Sequence, residues 1–289
     1  MNSALRRSTT PLCPPLVDLT PASIARCAAS ALTEELATYP KPGLVSFVDQ
    51  GSHPDMDAEC FLASIGAIKN FFGEMAEAGA DGCRLLDLQR IGICAEESML
   101  DATGGRNTHR GAIYCLGLLA AAAGKQMADD DLLGLPLGRI VAESWGDEIL
   151  LPDSLLQTSR GLEMCHRYKL DGVRGEAKKG FPSIFKAGLP AFQSALISTN
   201  LETARVQAFF AILEVCEDTT LLNRGGYSGW KYAQTQVRRF LHEGGVASPD
   251  WKILAEEIHG EFVGRHLTAG GAADLLAATL FVNHLNLNS

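Results

Sequence analysis

Several acidic side chains lie near the ends of predicted helices or in the middle of one, and as a group they indicate a metal site. Glu35 lies near the end of the first predicted helix, Asp55 and Asp57 flank the start of the second, and Glu96 and Glu97 follow an apolar stretch. Oxygen ligands from several helices suit Mg²⁺, which keeps waters and shares phosphate oxygens. Taken singly, an ordinary role explains each residue better, such as an N-cap for Asp57 or a solvated position for Glu97. Only the grouping favours a metal.

A basic and polar segment, residues 106–111, directly precedes a long apolar helix. A helix N-terminus has free backbone N–H groups, and flanking arginines such as Arg110 would make it an anion site. The alternative is an ordinary cap formed by Asn107 or Thr108, with His109 merely packed. A histidine between charged residues at the start of a buried helix is harder to explain as a structural residue alone.

Two further glycine-containing segments combine backbone N–H groups with charge. Gly270 and Gly271 precede Asp274 and an apolar helix, and Asp218 precedes Arg224 in a segment that ends with two glycines. Such segments can hold anions, although tight helix–helix turns explain each of them more simply. A P-loop, a dinucleotide-binding glycine motif, a zinc-protease motif and a nucleophile elbow do not occur in the sequence.

Helical periodicity dominates the chain that must position these residues. Thr20 is a predicted N-cap, Pro21 takes the first helical position, and apolar residues then recur at helical spacing up to Leu36. Ala and Leu greatly outnumber Val and Ile, which favours helix over strand. Further helices are predicted after Asp57 and over 84–102, 108–124, 153–168, 201–216, 228–243, 249–263 and 271–287. The sequence therefore predicts a single all-α, multi-helix domain over 20–289, with an active site between helices and Gly-rich junction loops. Residues 126–152 form its least regular part.

Bulk properties exclude several classes of protein. The 289 residues carry a formal net charge of -9, so no general basic field for nucleic acid is present. Eight cysteines are scattered without a C-x-x-C pair, which argues against a zinc knuckle or a disulfide framework. Residues 1–19 contain prolines and arginines but no signal-peptide core, and they are predicted to be a disordered lead-in. We expect a cytoplasmic protein that binds neither nucleic acid nor membranes.

A set of short motifs occurs in one order along nearly the whole chain. They are YPKPGLV (39–45), GSHPDMD (51–57), AE (95–96), TGGRNTHRGAI (103–113), VRGEA (173–177), DT (218–219) with RGG (224–226), and GGAADLL (270–276). In this order the chain resembles the triphosphoribosyl-dephospho-CoA synthase family, over about residues 24–285. Each motif alone is weak, but together they form a specific signal.

The resemblance implies an all-helical, Mg²⁺-dependent enzyme whose substrates are ATP and 3'-dephospho-CoA. Such enzymes join the 2'-hydroxyl of dephospho-CoA to C1 of the ATP ribose and release adenine. The product is the prosthetic-group precursor for the acyl-carrier protein of malonate decarboxylase or citrate lyase, which a holo-carrier transferase uses afterwards. The run Val45 to Asp49 is more similar to the malonate-decarboxylase branch. Thr268 and Ala269 depart from the family pattern, as do Arg106 and Arg110, which puts fine specificity in question.

The resemblance also suggests roles for individual residues. We predict Glu35, Asp55 and Glu96 as metal ligands; His109 or Asp57 as general base; Glu176 as a contact to ribose hydroxyls; and Lys41, His53, Asn107, Arg110, Arg174, Asp218, Arg224, Gly270, Gly271 and Asp274 as phosphate or substrate contacts. Two alternatives stay open, a Mg²⁺-dependent ribosyl glycohydrolase and a helical nucleotide-binding subunit without turnover. The sequence leaves open whether the protein is a homodimer.

Overall fold

Twelve α-helices build the part of the chain that the computed structural model describes, residues 19–149 and 159–287, and this part contains no strand. The helices are α1 (Pro21–Ala37), α2 (Ala58–Ala80), α3 (Leu85–Ala102), α4 (Arg110–Ala128), α5 (Leu137–Ile149), α6 (Arg160–Tyr168), α7 (Gly172–Lys178), α8 (Leu189–Leu196), α9 (Leu201–Val215), α10 (Thr219–His242), α11 (Trp251–Gly264) and α12 (Gly270–Leu287). The all-α prediction is confirmed. The predicted lead-in lies outside the described residues except for Leu19.

The start of α1 shows why the first helix forms where it does. Thr20 is the N-cap, its hydroxyl accepts the N–H of Ser23, and the Ser23 side chain accepts the N–H of Thr20 in return. Pro21 occupies the first helical position, where its missing N–H costs nothing. This reciprocal cap fixes the beginning of the helix whose other end carries Glu35.

The core is built around α4 and α12, which are enclosed by the other helices. From Cys115 to Gly124 every residue of α4 is buried, and α2 packs along it. Gly79 of α2 and Gly124 of α4 allow this close approach, since a Cβ at either position would overlap a backbone carbonyl oxygen, that of Ala121 or Ala76. The helix ends are thereby held in fixed positions around the core.

The helix predictions were incomplete in the second half of the chain. The stretch 126–152 contains α5, whose apolar face is buried at Ile140, Val141 and Trp145. No helix was predicted between residues 168 and 201, yet the glycine-containing segment Gly172–Lys178 forms α7. Glycine lowers helix propensity by only about 1 kcal/mol, which tertiary packing can offset.

Two further regions differ from the prediction. Residues 183–196, for which no helix was predicted, form a π-helical turn (Ser183–Gly188) followed by α8. The segment 218–226, predicted as a junction, is mostly the first part of α10, and the helix breaks only at Gly226 with φ 60° and ψ -165°. The first residues of the predicted helix 153–168 lie outside the described residues.

Within the described ranges, no helix combines the length and the apolar character needed to cross a membrane. The seven cysteines of these ranges are all free thiols.

Candidate active site

Asp274, near the start of α12, reaches the first turn of α4. The backbone N–H of Ala112 donates to its carboxylate. Any side chain at position 111 would overlap the carboxylate, so Gly111 is required for the two helices to approach. Burial raises the pKa of Asp274 well above its usual range, and the negative charges of Glu35 and Asp218 raise it further. The charges of Glu35, near the end of α1, and of Asp218, the N-cap of α10, therefore both reach Asp274 in α12.

Asp218 joins the N-termini of two helices. Its side chain is 1% exposed. Oδ1 accepts the N–H groups of Thr220 and Leu221 at 2.9 Å each, which caps α10, and Oδ2 accepts the N–H of Ala272 in α12 at 2.9 Å. The N–H of Gly271 also contributes, and burial raises the pKa of Asp218 against these donors. The backbone groups that the sequence offered to a phosphate are thus bonded to a carboxylate of the protein.

Glu35 and Lys41 form a buried ion pair between the end of α1 and the loop that follows. Their side chains are 6% and 1% exposed. Desolvation raises the pKa of Glu35 and lowers that of Lys41, while their mutual attraction opposes both shifts. His259 of α11 donates its Nδ1–H to the Lys41 carbonyl oxygen at 2.8 Å, and its Nε2 lies 3.2 Å from Asp49 Oδ1. The predicted phosphate ligand Lys41 is therefore held by protein groups.

His109 lies at the N-cap position of α4 and is 3% exposed. Its Nδ1 is 2.7 Å from the Ser64 hydroxyl, which in turn is 2.8 Å from the Thr108 hydroxyl. The ring packs edge-on against Phe61, with 5.0 Å between the centroids. Burial, and next the charge of Lys41, lower the pKa of His109 to about 3. Its Nε2 is buried and has no hydrogen-bond partner among the described residues.

Two arginines that the sequence predicted as phosphate ligands, Arg110 and Arg174, each bind another side chain of the protein. Arg110 donates Nε–H to Glu96 Oε2 at 2.7 Å, and both side chains are about one-third exposed (42% and 31%). The Asn107 side chain accepts the N–H of Arg110, the first residue of α4, at 3.2 Å, while His109 occupies the N-cap position itself. Arg174 of α7 hydrogen-bonds to the hydroxyl of Tyr114, whose pKa is raised mainly by burial.

His53 and Arg224 form a separate pair on the outer side of this region. His53 Nε2 lies 2.9 Å from the Thr268 hydroxyl, and its Nδ1 lies 3.5 Å from the Arg224 guanidinium. Burial and the arginine charge lower the pKa of His53. Asp55 and Asp57 are exposed, and Asp57 caps α2 by accepting the N–H of Cys60, as its ordinary role predicted.

Glu176, the predicted contact to ribose hydroxyls, is hydrogen-bonded to a nearby residue of the chain, Ser183. Its carboxylate accepts the N–H and the hydroxyl of Ser183, at 3.1 and 2.7 Å, and so fixes the π-helical turn to α7. Its charge reaches the buried thiols of Cys115 and Cys216, whose pKa values burial raises well above the usual range. Glu176 thus lies behind α4 and next to the site.

The three predicted metal ligands stand apart from one another. Glu35 is paired with Lys41, Glu96 with Arg110, and Asp55 is exposed on a loop. Among residues 19–149 and 159–287, no group of three or more His, Cys, Asp or Glu side chains is placed to hold a metal ion. A protein-only magnesium cage is therefore not formed here, and any ion would need oxygens supplied by a substrate and by water.

Sequence reasoning missed two functional candidates. Ser64 contacts both His109 and Thr108 from within α2, and Tyr114 meets Arg174. The available signal for Ser64 was a polar residue on the apolar face of α2, next to Ile65 and one turn after Phe61.

Comparisons with known proteins agree with the motif pattern. The model of the family described as ATP:dephospho-CoA triphosphoribosyl transferase matches residues 21–289. A probable 2-(5''-triphosphoribosyl)-3'-dephosphocoenzyme-A synthase of Acinetobacter calcoaceticus is 35% identical over 257 residues, covering 88% of both chains. The synthase of the same name from Klebsiella pneumoniae is 35% identical over 272 residues, covering 88% of this chain and 87% of its own. No solved structure matches significantly. The chain therefore belongs to the ATP:dephospho-CoA triphosphoribosyl transferase family.

Proposed function

We propose that this protein transfers the triphosphoribosyl group of ATP to the 2'-hydroxyl of 3'-dephospho-CoA and releases adenine. The observation that carries the proposal is the family match over residues 21–289, which includes every cluster of the candidate site. The site itself supports it, since the starts of α4, α10 and α12 meet the end of α1 around charged and polar side chains.

The reaction exchanges one bond at C1 of the ribose. The bond from C1 to the adenine nitrogen breaks, the electron pair leaves with adenine, and a bond from C1 to the 2'-oxygen of dephospho-CoA forms. The hydroxyl proton must pass to a base, and adenine must gain a proton. Positive charge develops on the ribose as in glycoside hydrolysis, so carboxylates near C1 would stabilise the transition state. Asp274 and Asp218 are the acidic side chains at the centre of the site, and they would act in this way in their ionised forms.

The triphosphate requires cations, and the arginines of the site are suited to this. Arg110, Arg174 and Arg224 present guanidinium groups from α4, α7 and α10, and a guanidinium can bind phosphate oxygens with two hydrogen bonds. The partly exposed Arg110 is the strongest candidate, because its present partner Glu96 can be exchanged for a phosphate at little cost. Lys41 is held by Glu35, so it would attract the triphosphate by its electrostatic field and not by direct contact.

We propose Asp57 as the general base. Of the two predicted bases, His109 is neutral at pH 7 but, with a pKa of about 3, accepts a proton poorly. Asp57 is exposed and begins α2 one turn before Phe61, whose ring packs against His109. A large substrate can therefore reach Asp57 beside the buried cluster.

Mg²⁺ fits the proposal as a companion of ATP. When bound, the ion would neutralise phosphate charge and polarise the phosphate oxygens. The charges of Glu35 and Asp218 both reach Asp274, so a cation bound near this cluster would be attracted by the carboxylates that are ionised. One or two carboxylates suffice when phosphate and water complete the shell. Glu35, Asp55 and Glu96 remain the predicted ligands, and activity should vanish with a chelator and return with Mg²⁺.

We further propose that the product serves malonate decarboxylase in the cytoplasm, supported by the run Val45 to Asp49. The test gives the enzyme's product and a holo-carrier transferase to the apo-carrier proteins of malonate decarboxylase and citrate lyase in parallel reactions. The carrier protein that receives the prosthetic group identifies the branch.

The decisive experiment incubates the protein with ATP, Mg²⁺ and 3'-dephospho-CoA and follows adenine by chromatography and the adduct by mass. Adenine together with the adduct supports the proposal. The matched control is dephospho-CoA without its 2'-hydroxyl, which must give no adduct. Adenine without adduct would instead identify a glycohydrolase, and ATP binding without adenine would identify a nucleotide-binding subunit.

A further inference from the structure

A chain of three hydrogen-bonding side chains ends on the unpartnered nitrogen of His109. Thr108 donates its hydroxyl proton to Ser64 Oγ at 2.8 Å, and Ser64 Oγ lies 2.7 Å from His109 Nδ1. Ser64 is 0% exposed, so water does not compete for its hydroxyl. The remaining ring nitrogen, Nε2, is buried, and within the described part of the chain it has no hydrogen-bond partner.

The direction of this chain determines which nitrogen carries the proton. Because Ser64 accepts from Thr108, its own proton can be donated to Nδ1, and this arrangement gives both hydroxyls an acceptor. The neutral imidazole consequently carries its hydrogen on Nε2. In the reverse arrangement the Thr108 hydroxyl, which is only partly buried, would have to donate to solvent instead of to Ser64. Nε2–H is therefore a buried donor without an acceptor, and leaving such a group unpaired costs about 1–3 kcal/mol.

We propose that Thr108 and Ser64 hold His109 in its Nε2–H tautomer, so that His109 donates a hydrogen bond to a phosphate oxygen of bound ATP. Ser64 and Thr108 are positioning residues in this scheme, and His109 is the group that contacts substrate. The proposal deepens the proposed function, since it rests on ATP being the substrate. It also replaces the role of base that the sequence suggested for His109.

The surroundings of His109 favour a phosphate acceptor. Lys41 is the charged group whose field reaches the imidazole, and Arg110 follows His109 directly in the chain. The other neighbours are uncharged, namely the Phe61 ring and the Met99 sulfur, which accepts the backbone N–H of His109. The Ala112 N–H in the same helix turn is already bonded to Asp274. A phosphate bound at the start of α4 would therefore need a side-chain donor, because the Ala112 amide already donates to Asp274.

Nitrogen NMR of the histidine rings tests the tautomer without reference to activity. Protein labelled with ¹⁵N-histidine has seven histidines, and His109→Gln identifies the signals of interest. We expect an unprotonated Nδ1 and a protonated Nε2 in the free protein. Protonation at Nδ1 would overturn the proposal. Tripolyphosphate with Mg²⁺ should shift the Nε2–H signal, whereas adenosine should not. A shift with adenosine alone would overturn the assignment to phosphate.

Variants separate positioning from folding. Thr108→Val removes the hydroxyl at constant shape and should lower kcat/KM about tenfold, the effect of one hydrogen bond, while Thr108→Ser keeps the hydroxyl and should restore it. Ser64→Ala should make the His109 ring signals change tautomer. Ser23→Ala, a capping serine on α1, is the control for lost stability and should leave the ring signals and kcat/KM unchanged.

Two outcomes distinguish the proposals from one another. Adenine release with an Nε2 signal that does not respond to saturating ATP or tripolyphosphate would refute the His109 contact alone. Failure of ATP, tripolyphosphate and adenosine to perturb any signal of the protein, together with no adenine release, would refute the proposed function.

Discussion

Replacing Glu35 by Gln should destabilise the protein strongly, because it leaves the Lys41 ammonium buried without a counter-ion. Both side chains are almost inaccessible, at 6% and 1% exposure. Removing one partner of a buried ion pair costs about 3–5 kcal/mol. At about 2–4 °C per kcal/mol for a domain of 150–250 residues, Tm should fall by roughly 6–20 °C. Thermal unfolding followed by circular dichroism, with urea unfolding at 25 °C, measures both quantities.

The neighbouring residue provides a matched control. Glu34 carries the same charge and is bonded to Arg205 and His284, but its side chain is 30% exposed. Glu34→Gln should therefore cost about 1 kcal/mol or less per pair. The double change Glu35→Gln with Lys41→Met removes both charges and should recover most of the stability that Glu35→Gln alone loses. Equal destabilisation by Glu34→Gln and Glu35→Gln, or no recovery in the double variant, would refute the buried pair.

Three further changes test other parts of the site. Arg110→Ala should raise the KM for ATP about tenfold or more while Tm changes by less than about 3 °C, because the pair with Glu96 is partly exposed; an unchanged KM removes Arg110 from the phosphate site. The pKa of His109, about 3, lies below its ordinary 6.5, so between these values only the unfolded chain binds the proton and stability falls as the pH falls. His109→Gln should reduce the loss of unfolding free energy between pH 7 and pH 5 by about 2 kcal/mol, measured with urea. Asp218→Ala should cost about 2–4 kcal/mol in the same assay, since it uncaps α10 and α12 together, and a cost below that of a single cap would contradict its joint role.

Much of the fold could be predicted from the sequence, because helical signals are local. The Thr20 cap, Pro21 and the apolar periodicity up to Leu36 placed α1 almost to the residue. α7 and the π-helical turn before α8 escaped prediction, since their helical state depends on partners distant in space. Glu176 fixes one to the other through Ser183, a contact that only the folded chain reveals.

The candidate site was predictable in composition but not in pairing. The sequence identified the charged residues around the glycines, among them Asp218, Asp274 and His109, and the structure brings these into one region. Which carboxylate meets which cation depends on the distance between helices, and no local pattern encodes it. Glu35 was predicted to bind a metal yet meets Lys41, and Glu96 meets Arg110. Four of the predicted contacts to ATP and its metal ion are thus already paired with one another within the protein.

These internal pairings limit how the triphosphate can be held. A phosphate usually binds the free N–H groups of a helix N-terminus, but Asp274 occupies the start of α4, and Asp218 occupies the starts of α10 and α12. The negative charge of ATP must therefore be met by side chains and by a cation that accompanies it. Arg110 and His109 directly precede Gly111 and Ala112, which contact Asp274. The site can therefore receive a phosphate that has a metal ion on one side and protein donors on the other. Binding of tripolyphosphate should accordingly require Mg²⁺, and equally tight binding in the presence of a chelator, measured by calorimetry, would show that side-chain cations alone hold it.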